Sequence, residues 1–388
     1  MSRIDELLAD LCPRGIEIAI LGDVCRVRTG AAVSRVTIGQ SPGPYPVINS
    51  GREPLGYINS YNTEDDPIGI TSRGAGVGSV TWRAGRYFRG NLNYSATILD
   101  RSRIDTRFLY HSLLFLQPRI QQLCTYQGIP ALNKVNLEKL TVPVPPLEVQ
   151  REIVRVLDTF AALEAELEAE LEARRRQYAQ YREALLTFSL GDRVAWVTIS
   201  EVCIKISSGG TPSTTRSDFY GGEIPWLRTQ EVDFGVIDST GMTITEAGLR
   251  GSAAKWIPEN CVIVAMYGAT AAKVAINGIP MTTNQACCNL QVDPERANFR
   301  FVFHWMSNEY LRLKGLGEGS QSNLNAQKIK DYPIVVPPLE EQNRIVEILD
   351  KFDALVNDLS IGLPAELAAR RKQYEHYRDR LLTFPEAS

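Results

Sequence analysis

The 388-residue sequence holds only three histidines, His111, His304 and His376, and no two stand at a spacing that would share a metal ion. Seven cysteines are present, an odd number with no CxxC and with Cys287 and Cys288 adjacent. Disulfide frameworks and zinc sites need paired spacings, so the thiols read as reduced and mostly core residues. No apolar run approaches the roughly eighteen residues of a membrane span, and the start MSRIDELLAD lacks the basic-then-apolar layout of a signal peptide. The expectation is a cytoplasmic protein with no membrane partner. Neither glycine-rich stretch makes a nucleotide loop. GAGVG at Gly74 to Gly78 is followed by no helix with an acidic residue about twenty positions on, and GATAAK at Gly268 to Lys273 lacks a GK[ST] ending. Tetrapeptides such as NPPF or DPPY of an amino-methyltransferase, a glycine loop for S-adenosylmethionine and a PD-x-(D/E)xK nuclease constellation are also missing. The chain reads as one with no catalytic centre, no metal and no cofactor of its own.

What the chain has is repetition. Val144 to Leu163, VPPLEVQREIVRVLDTFAAL, returns 192 residues later as VPPLEEQNRIVEILDKFDAL from Val336 to Leu355. A second block, ARRRQYAQYREALLTF from Ala173, returns 196 residues later as ARRKQYEHYRDRLLTF from Ala369. The segments between are nearly unrelated in sequence, so a fixed frame carries two different contents.

The repeated blocks read as helices. From Ile153 the apolar positions Leu157, Phe160, Leu163, Leu167 and Leu171 fall three and four apart, with glutamates on the other faces, which is a coiled-coil stripe. It continues through Tyr178, Tyr181, Leu185 and Phe188. Pro145 and Pro146 stand just ahead of the start and Gly191 just after the end. Leu147 to Phe188 then makes a rod of roughly 60 Å. The second copy carries four extra residues near Ser360 that include Gly362 and Pro364, which predicts a kink or a short break. Two matching rods in one chain can lie antiparallel and bury their stripes on each other.

The intervening segments have short β-rich runs, Tyr45 to Ile48, Pro67 to Thr71, Val262 to Met266 and Val274 to Ile276, between Gly, Pro, Asn and Ser. Each segment opens alike, with LGDVC at Leu21 and ISEVC at Ile199, and closes on a Leu-Asn pair, Leu132-Asn133 and Leu324-Asn325. The predicted organisation is a segment at 1–15, an α+β domain at 16–143, a helix at 144–192, a second α+β domain at 193–335 and a second helix at 336–388. Of the net charge of −3, the helical segment 144–192 contributes 6 basic against 10 acidic residues, whereas 16–143 holds 14 basic against 9 acidic. Local positive charge of that kind suits contact with phosphates.

The VPPLExQ start, the LDxF step, the QYxxYRxxLLTF end, GLPAEL at Gly362 and LCPRGIE at Leu11 together resemble the specificity subunit of a Type I restriction-modification system, over essentially the whole chain. The resemblance implies an α+β fold with a pseudo-two-fold repeat: two globular α/β target-recognition domains separated by two long antiparallel coiled-coil helices. Each domain would read one half of a bipartite, asymmetric site in double-stranded DNA, while the helices set the spacer and dock the modification subunits. It also implies the partners, two methyltransferase subunits carrying S-adenosylmethionine and, in the restricting form, two motor-nuclease subunits using ATP and Mg. The methyltransferase would flip its adenine out of the stack. The competing reading is a coiled-coil scaffold joining two protein-binding modules, which salt-dependent binding to DNA would discriminate.

Candidate reading residues are those suited to base edges or phosphates in loops. In the first domain they are Arg28, Thr29, Arg35, Ser50, Arg52, Arg73, Arg83, Arg86, Arg89, Asn91 and Asn93. In the second, the GGTPSTTRS loop offers Thr211, Thr214, Thr215 and Arg216, and Arg228, Thr229 and Gln230 come next. Tyr267, Lys273, Thr283, Asn284 and Gln285 stand where members of the resembled family carry similar patterns.

Overall fold

A computed structural model describes residues 3–51, 53–188, 194–317, 323–358 and 360–384. The chain divides into two compact units, one made of residues 1–168 and 366–388, the other of residues 169–365. One helix, Leu147–Leu185, belongs to both in sequence and at 39 residues is about 58 Å long.

In the first unit the strands Glu17–Ile20 and Thr141–Val144 pair antiparallel and close the base of the domain. Above them an antiparallel sheet has the order Cys25–Thr29, Asn93–Ile98, Ile68–Thr71, Val80–Trp82, and a smaller sheet joins Tyr57–Ile58, Tyr45–Ile48 and Phe88–Arg89. The second unit repeats this plan in residues that do not match. Ala195–Thr198 pairs with Pro333–Val336 at the base. The main sheet begins in the same order with Cys203–Ser208, Cys287–Val292, Val262–Ala265 and Val274–Asn277, and adds Val236–Ile237. Each Leu-Asn pair has a physical role: Leu132 and Leu324 are buried, while Asn133 and Asn325 cap the next short helix by accepting from Val135 N at 2.8 Å and Lys328 N at 2.9 Å.

The apolar stripe of the first repeat helix divides its contacts. Ile153 and Leu157 are fully buried in one core with Phe108, Leu109 and Ile70 of the domain, a core that also takes in Leu382 of the second repeat. Burying such side chains stabilises by about 1.5 to 3 kcal/mol each. Further along, Phe160 stacks on Tyr377 of the helix Leu363–Leu382 at 5.0 Å, and Arg371 forms ion pairs with Glu164 and Glu168. Leu163 is 40% exposed. The seam is therefore partly charged and more open than a continuous leucine stripe predicts. In the second unit Tyr178 and Tyr181 pack on Phe352 of the helix Leu339–Asn357. In the first unit rising numbers on one helix meet falling numbers on its partner, from Phe160 with Tyr377 to Glu168 with Arg371, so that pairing is antiparallel. The second repeat is broken after Asn357 and resumes at Leu363, where the extra Gly362 and Pro364 fall. The first helix ends at Leu185, short of Phe188, and Gly191 lies outside the described residues.

All seven cysteines are free and five are buried. Burial pushes the Cys25 and Cys288 thiols up to about 12. Among the described residues no helix is long and apolar enough to cross a membrane, and no cluster of side chains could hold a metal ion.

Candidate nucleic-acid interface

In the first domain a cleft of about 450 Å³ is lined by Arg28, Thr29, Asn62, Asp66, Arg89 and Thr97. Its floor is a buried guanidinium. Arg89, 3% exposed, donates from Nη1 to Ile68 O at 3.0 Å, Asn93 Oδ1 at 2.7 Å and Tyr94 O at 2.9 Å, and from Nη2 to Asp66 O at 2.7 Å and the Tyr87 hydroxyl. The Asp66 carboxylate stands 3.7 Å away. Burial lowers the pKa of Arg89 and raises that of Tyr87 to about 12. Burial corrects the sequence reading: Arg89 turns both its Nη groups onto partners inside the domain and the buried Asn93 accepts from it through Oδ1, so neither offers an edge to a base. The chain crossing here also needs glycine, because a Cβ on Gly30 would lie 2.3 Å from Gly90 O.

Around that floor the exposed candidates divide by partner. Arg28 and Thr29 open onto the cleft from the strand Cys25–Thr29. Arg35 begins a helical turn capped by Ser34, Ser50 is half-buried, and Arg83 and Asn91 are exposed. Arg86 is held by Glu64 at 2.6 Å and lies 4.9 Å over the Tyr61 ring. Arg52 lies outside the described residues. Arg73 is exposed on a loop bridged to Ala131, with Gly74 N donating to Pro130 O at 2.9 Å. Ala131 belongs to the hairpin of strands Cys124–Thr125 and Ala131–Leu132, whose tip exposes Tyr126 at 60% and Ile129 at 71%. Sequence reasoning passed over both, although an aromatic and an isoleucine flanking Gly128 in a polar loop were the available signal.

In the second domain the fold joins residues far apart in sequence. Thr211 hydrogen-bonds Gln285, and Gly210 N donates to Thr283 O at 2.9 Å, so the GGTPSTTRS and TTNQ loops form one edge. Thr283 itself is fully buried and accepts from Asn289 Nδ2 at 2.9 Å, which corrects its reading as a contact residue. Asn284 accepts from Ala286 N at 3.1 Å in a turn; it caps no helix. Thr214 is exposed, and Thr215 shares a hydrogen bond with Ser213 at 2.9 Å. Arg216 forks onto Asp218 at 2.8 and 2.6 Å over the Phe219 ring, which raises its pKa through those hydrogen bonds. Arg228 is half-buried 3.7 Å from Glu231, and Thr229 O accepts from Thr270 Oγ1 at 2.8 Å, fixing this loop beside the exposed Tyr267. Gln230 is exposed, while Lys273 is tied to Asp233 at 2.6 Å. The exposed cations of the first domain are thus freer than those of the second, where carboxylates accompany most of them.

A further pattern was missed. Each domain has a helix, Thr106–Phe115 and Phe299–Asn308, that carries the letters RFxxH, as Arg107, Phe108 and His111 and as Arg300, Phe301 and His304. Both arginine and histidine of each set reach the aspartate of the LDxF step. Arg107 Nε and His111 Nε2 lie 2.7 and 2.8 Å from Asp158 Oδ1. Arg300 Nε and His304 Nε2 lie 2.5 and 2.7 Å from the Asp350 oxygens. Histidines that share no metal spacing in sequence are therefore equivalent positions of the two halves.

Comparison with known proteins agrees with this architecture. The family model for the Type I restriction modification DNA specificity domain matches twice, at residues 13–173 and 192–369. The specificity subunit of an Escherichia coli Type I restriction enzyme is 38% identical over 266 residues, 66% of this chain and 65% of that protein, so the match spans just under two thirds of that relative. Putative specificity subunits of Haemophilus influenzae and Mycoplasma pneumoniae are 27% and 26% identical over 84% and 94% of this chain, and 85% and 96% of their own lengths. The crystal structure of the S subunit of the M. genitalium Type I restriction-modification system shares the fold with a TM-score of 0.64 at 17% identity, covering 96% of this chain and 97% of that one. With two matches of the family model together spanning most of its length, the chain belongs to the Type I restriction-modification DNA specificity family.

Proposed function

We propose that this chain is the non-catalytic reader of a Type I restriction-modification complex, each α+β domain recognising one half of a split double-stranded DNA site. The observation that carries the reading is the pairing of one repeated frame with two unlike surfaces. The same sheet order and the same seat on the repeat helices recur in both units, while the exposed loop residues differ completely. Arg28, Arg35, Arg73 and Arg83 are the phosphate- and guanine-suited groups of the first surface, and Thr211, Gln285, Gln230 and Tyr267 those of the second. The helices set the gap between half-sites and dock two modification subunits. Those subunits supply S-adenosylmethionine and the methyl transfer, and two motor-nuclease subunits supply ATP- and Mg-dependent cleavage. The domain limits that follow are 16–143 and 193–335 for the readers.

Single-molecule mapping of N6-methyladenine in host DNA with and without this gene tests the proposal. A motif of two short half-sites around a fixed gap should appear only with the gene. A continuous motif, or no difference, would refute it.

A further inference from the structure

The two RFxxH helices are held at two points each, by the very letters that define the repeat. At the start of the first repeat helix, the fully buried Gln150 accepts from Asp105 N at 2.8 Å and donates to Pro145 O at 2.6 Å and Arg103 O at 2.9 Å. Its counterpart Gln342, also fully buried, accepts from Asn298 N at 2.8 Å and donates to Pro337 O at 2.8 Å. Asp105 and Asn298 are the caps of the two domain helices, so each glutamine grips a helix at its first turn. Eight residues further along, about 12 Å at 1.5 Å per residue, Asp158 and Asp350 grip the arginine and histidine of the same helices. His111 and His304 are themselves almost wholly buried.

One point of attachment leaves a helix free to swivel, whereas two points separated by more than two turns fix both its slide and its rotation. We infer that the Gln–Asp pair of each repeat helix is a clamp that sets the angle of its recognition domain, and that this clamp, not the base-contacting loops, enforces the gap between half-sites. The inference rests on the reading of the chain as a split-site reader. It makes Arg107, His111, Arg300 and His304 positioning residues, with no contact to DNA of their own. The two clamps are not identical. His111 Nδ1 lies 3.2 Å from the Tyr374 hydroxyl, whereas His304 Nδ1 has no partner, and Tyr178, at the repeat position of Tyr374, points its hydroxyl to Asp353 Oδ1 at 3.4 Å. Ala161 stands where the second repeat has Asp353. The second clamp thus lacks the tyrosine at its histidine and is tied instead at its first turn, where Asn298 Nδ2 donates to Asn343 Oδ1 at 2.8 Å and Gln342 Nε2 to Arg296 O at 3.4 Å.

The test uses the complete complex with its modification subunits. Asp158→Asn and Asp350→Asn remove the charge and keep the shape. Plasmids carry the wild-type half-sites at the native gap and at one base pair more or less. The expected result is that both half-sites stay the same while methylation at the altered gaps rises, relative to the native gap, on the order of fivefold. Lys351→Gln, which breaks only an exposed pair with Glu347 on the neighbouring face, should leave the gap preference unchanged. If Asp158→Asn does not assemble, Arg107→Gln removes one grip and must show the same loosening. Unchanged gap preference in the aspartate variants, an altered half-site, or equal loosening by Lys351→Gln would each overturn the clamp. A wild-type complex that methylates no split site would instead sink the functional reading beneath it.

Discussion

If the long helix measures the site, its length and its phase act separately, and an insertion can tell them apart. Adding the residues AELE after Glu170 extends the helix Leu147–Leu185 by about 6 Å, and the same number added between Asn357 and Leu363 lets the returning strand follow. Four residues turn the helix by about 400°, so Leu171 and Tyr178, now 6% and 7% exposed, come back within about 40° of their present direction. A DNA step rises roughly 3.4 Å and turns by roughly 35°, so length asks for nearly two extra base pairs and phase for about one. The recognised gap should grow by one or two base pairs with both half-sites kept. Two residues turn the helix by about 200° and swing Leu171 and Tyr178 into water, at a cost of about 1.5 to 3 kcal/mol for each. That variant should lose Tyr178 from Phe352 and fail to assemble, not read a new gap. Methylation mapping of both variants decides. A four-residue variant that is fully active at the old gap would show that the helix does not measure the site.

Other expectations concern single groups. Arg89→Ala strips a buried guanidinium from Asp66 and Asn93 and should destabilise the first domain by about 3 to 5 kcal/mol in thermal or urea melts. Arg73→Ala should stay within about 0.5 kcal/mol in the same melts while weakening recognition by about 1 to 3 kcal/mol; loss of recognition by Arg89→Ala without loss of stability would reverse the assignment. Burial, opposed by the Asp158 hydrogen bond, leaves the His111 pKa below its ordinary value of 6.5. The unfolded state then binds the proton more readily, so stability is fully present above pH 6.5 and falls as the pH drops below it. Wild-type protein should melt at lower temperature at pH 5.5 than at pH 7.5, by more than His111→Gln does, and equal slopes would exclude the histidine as the source.

How much of this was legible in the sequence follows from what each signal encodes. The repeat gave the frame, because identical letters at a fixed shift need identical surroundings, and the period of the apolar positions gave the helices. Proline and glycine marked the break before Leu363. Where along the stripe the burial falls was not legible, because Ile153 and Leu163 look alike in sequence yet are 0% and 40% exposed. Site residues were read by type, and type does not say which way a side chain points. Arg28 and Arg89 both suit guanine, but Arg89 sits on a strand whose neighbours supply three carbonyls and an aspartate, and only pairing across the sheets brings those together. The shared order of the two main sheets was hidden for a related reason. A strand buried on both faces needs small or branched side chains in bulk, which Ile68 to Thr71 and Val262 to Ala265 satisfy with different letters.

The RFxxH helix shows where a repeat persists inside contents that otherwise diverge. An apolar contact between a domain and its helix is non-directional, and hydrophobic swaps of similar volume keep it, so it places few demands on individual letters. A hydrogen bond to a buried side chain is different. Leaving the buried His111 without Asp158 costs the desolvation of a polar group, so a change on one side is felt on the other. Such a contact adds little net stability, but it admits one register and one rotation. If the exposed loops meet DNA as proposed, they can vary freely in each half, because the residues that aim them are fixed by partners in the frame.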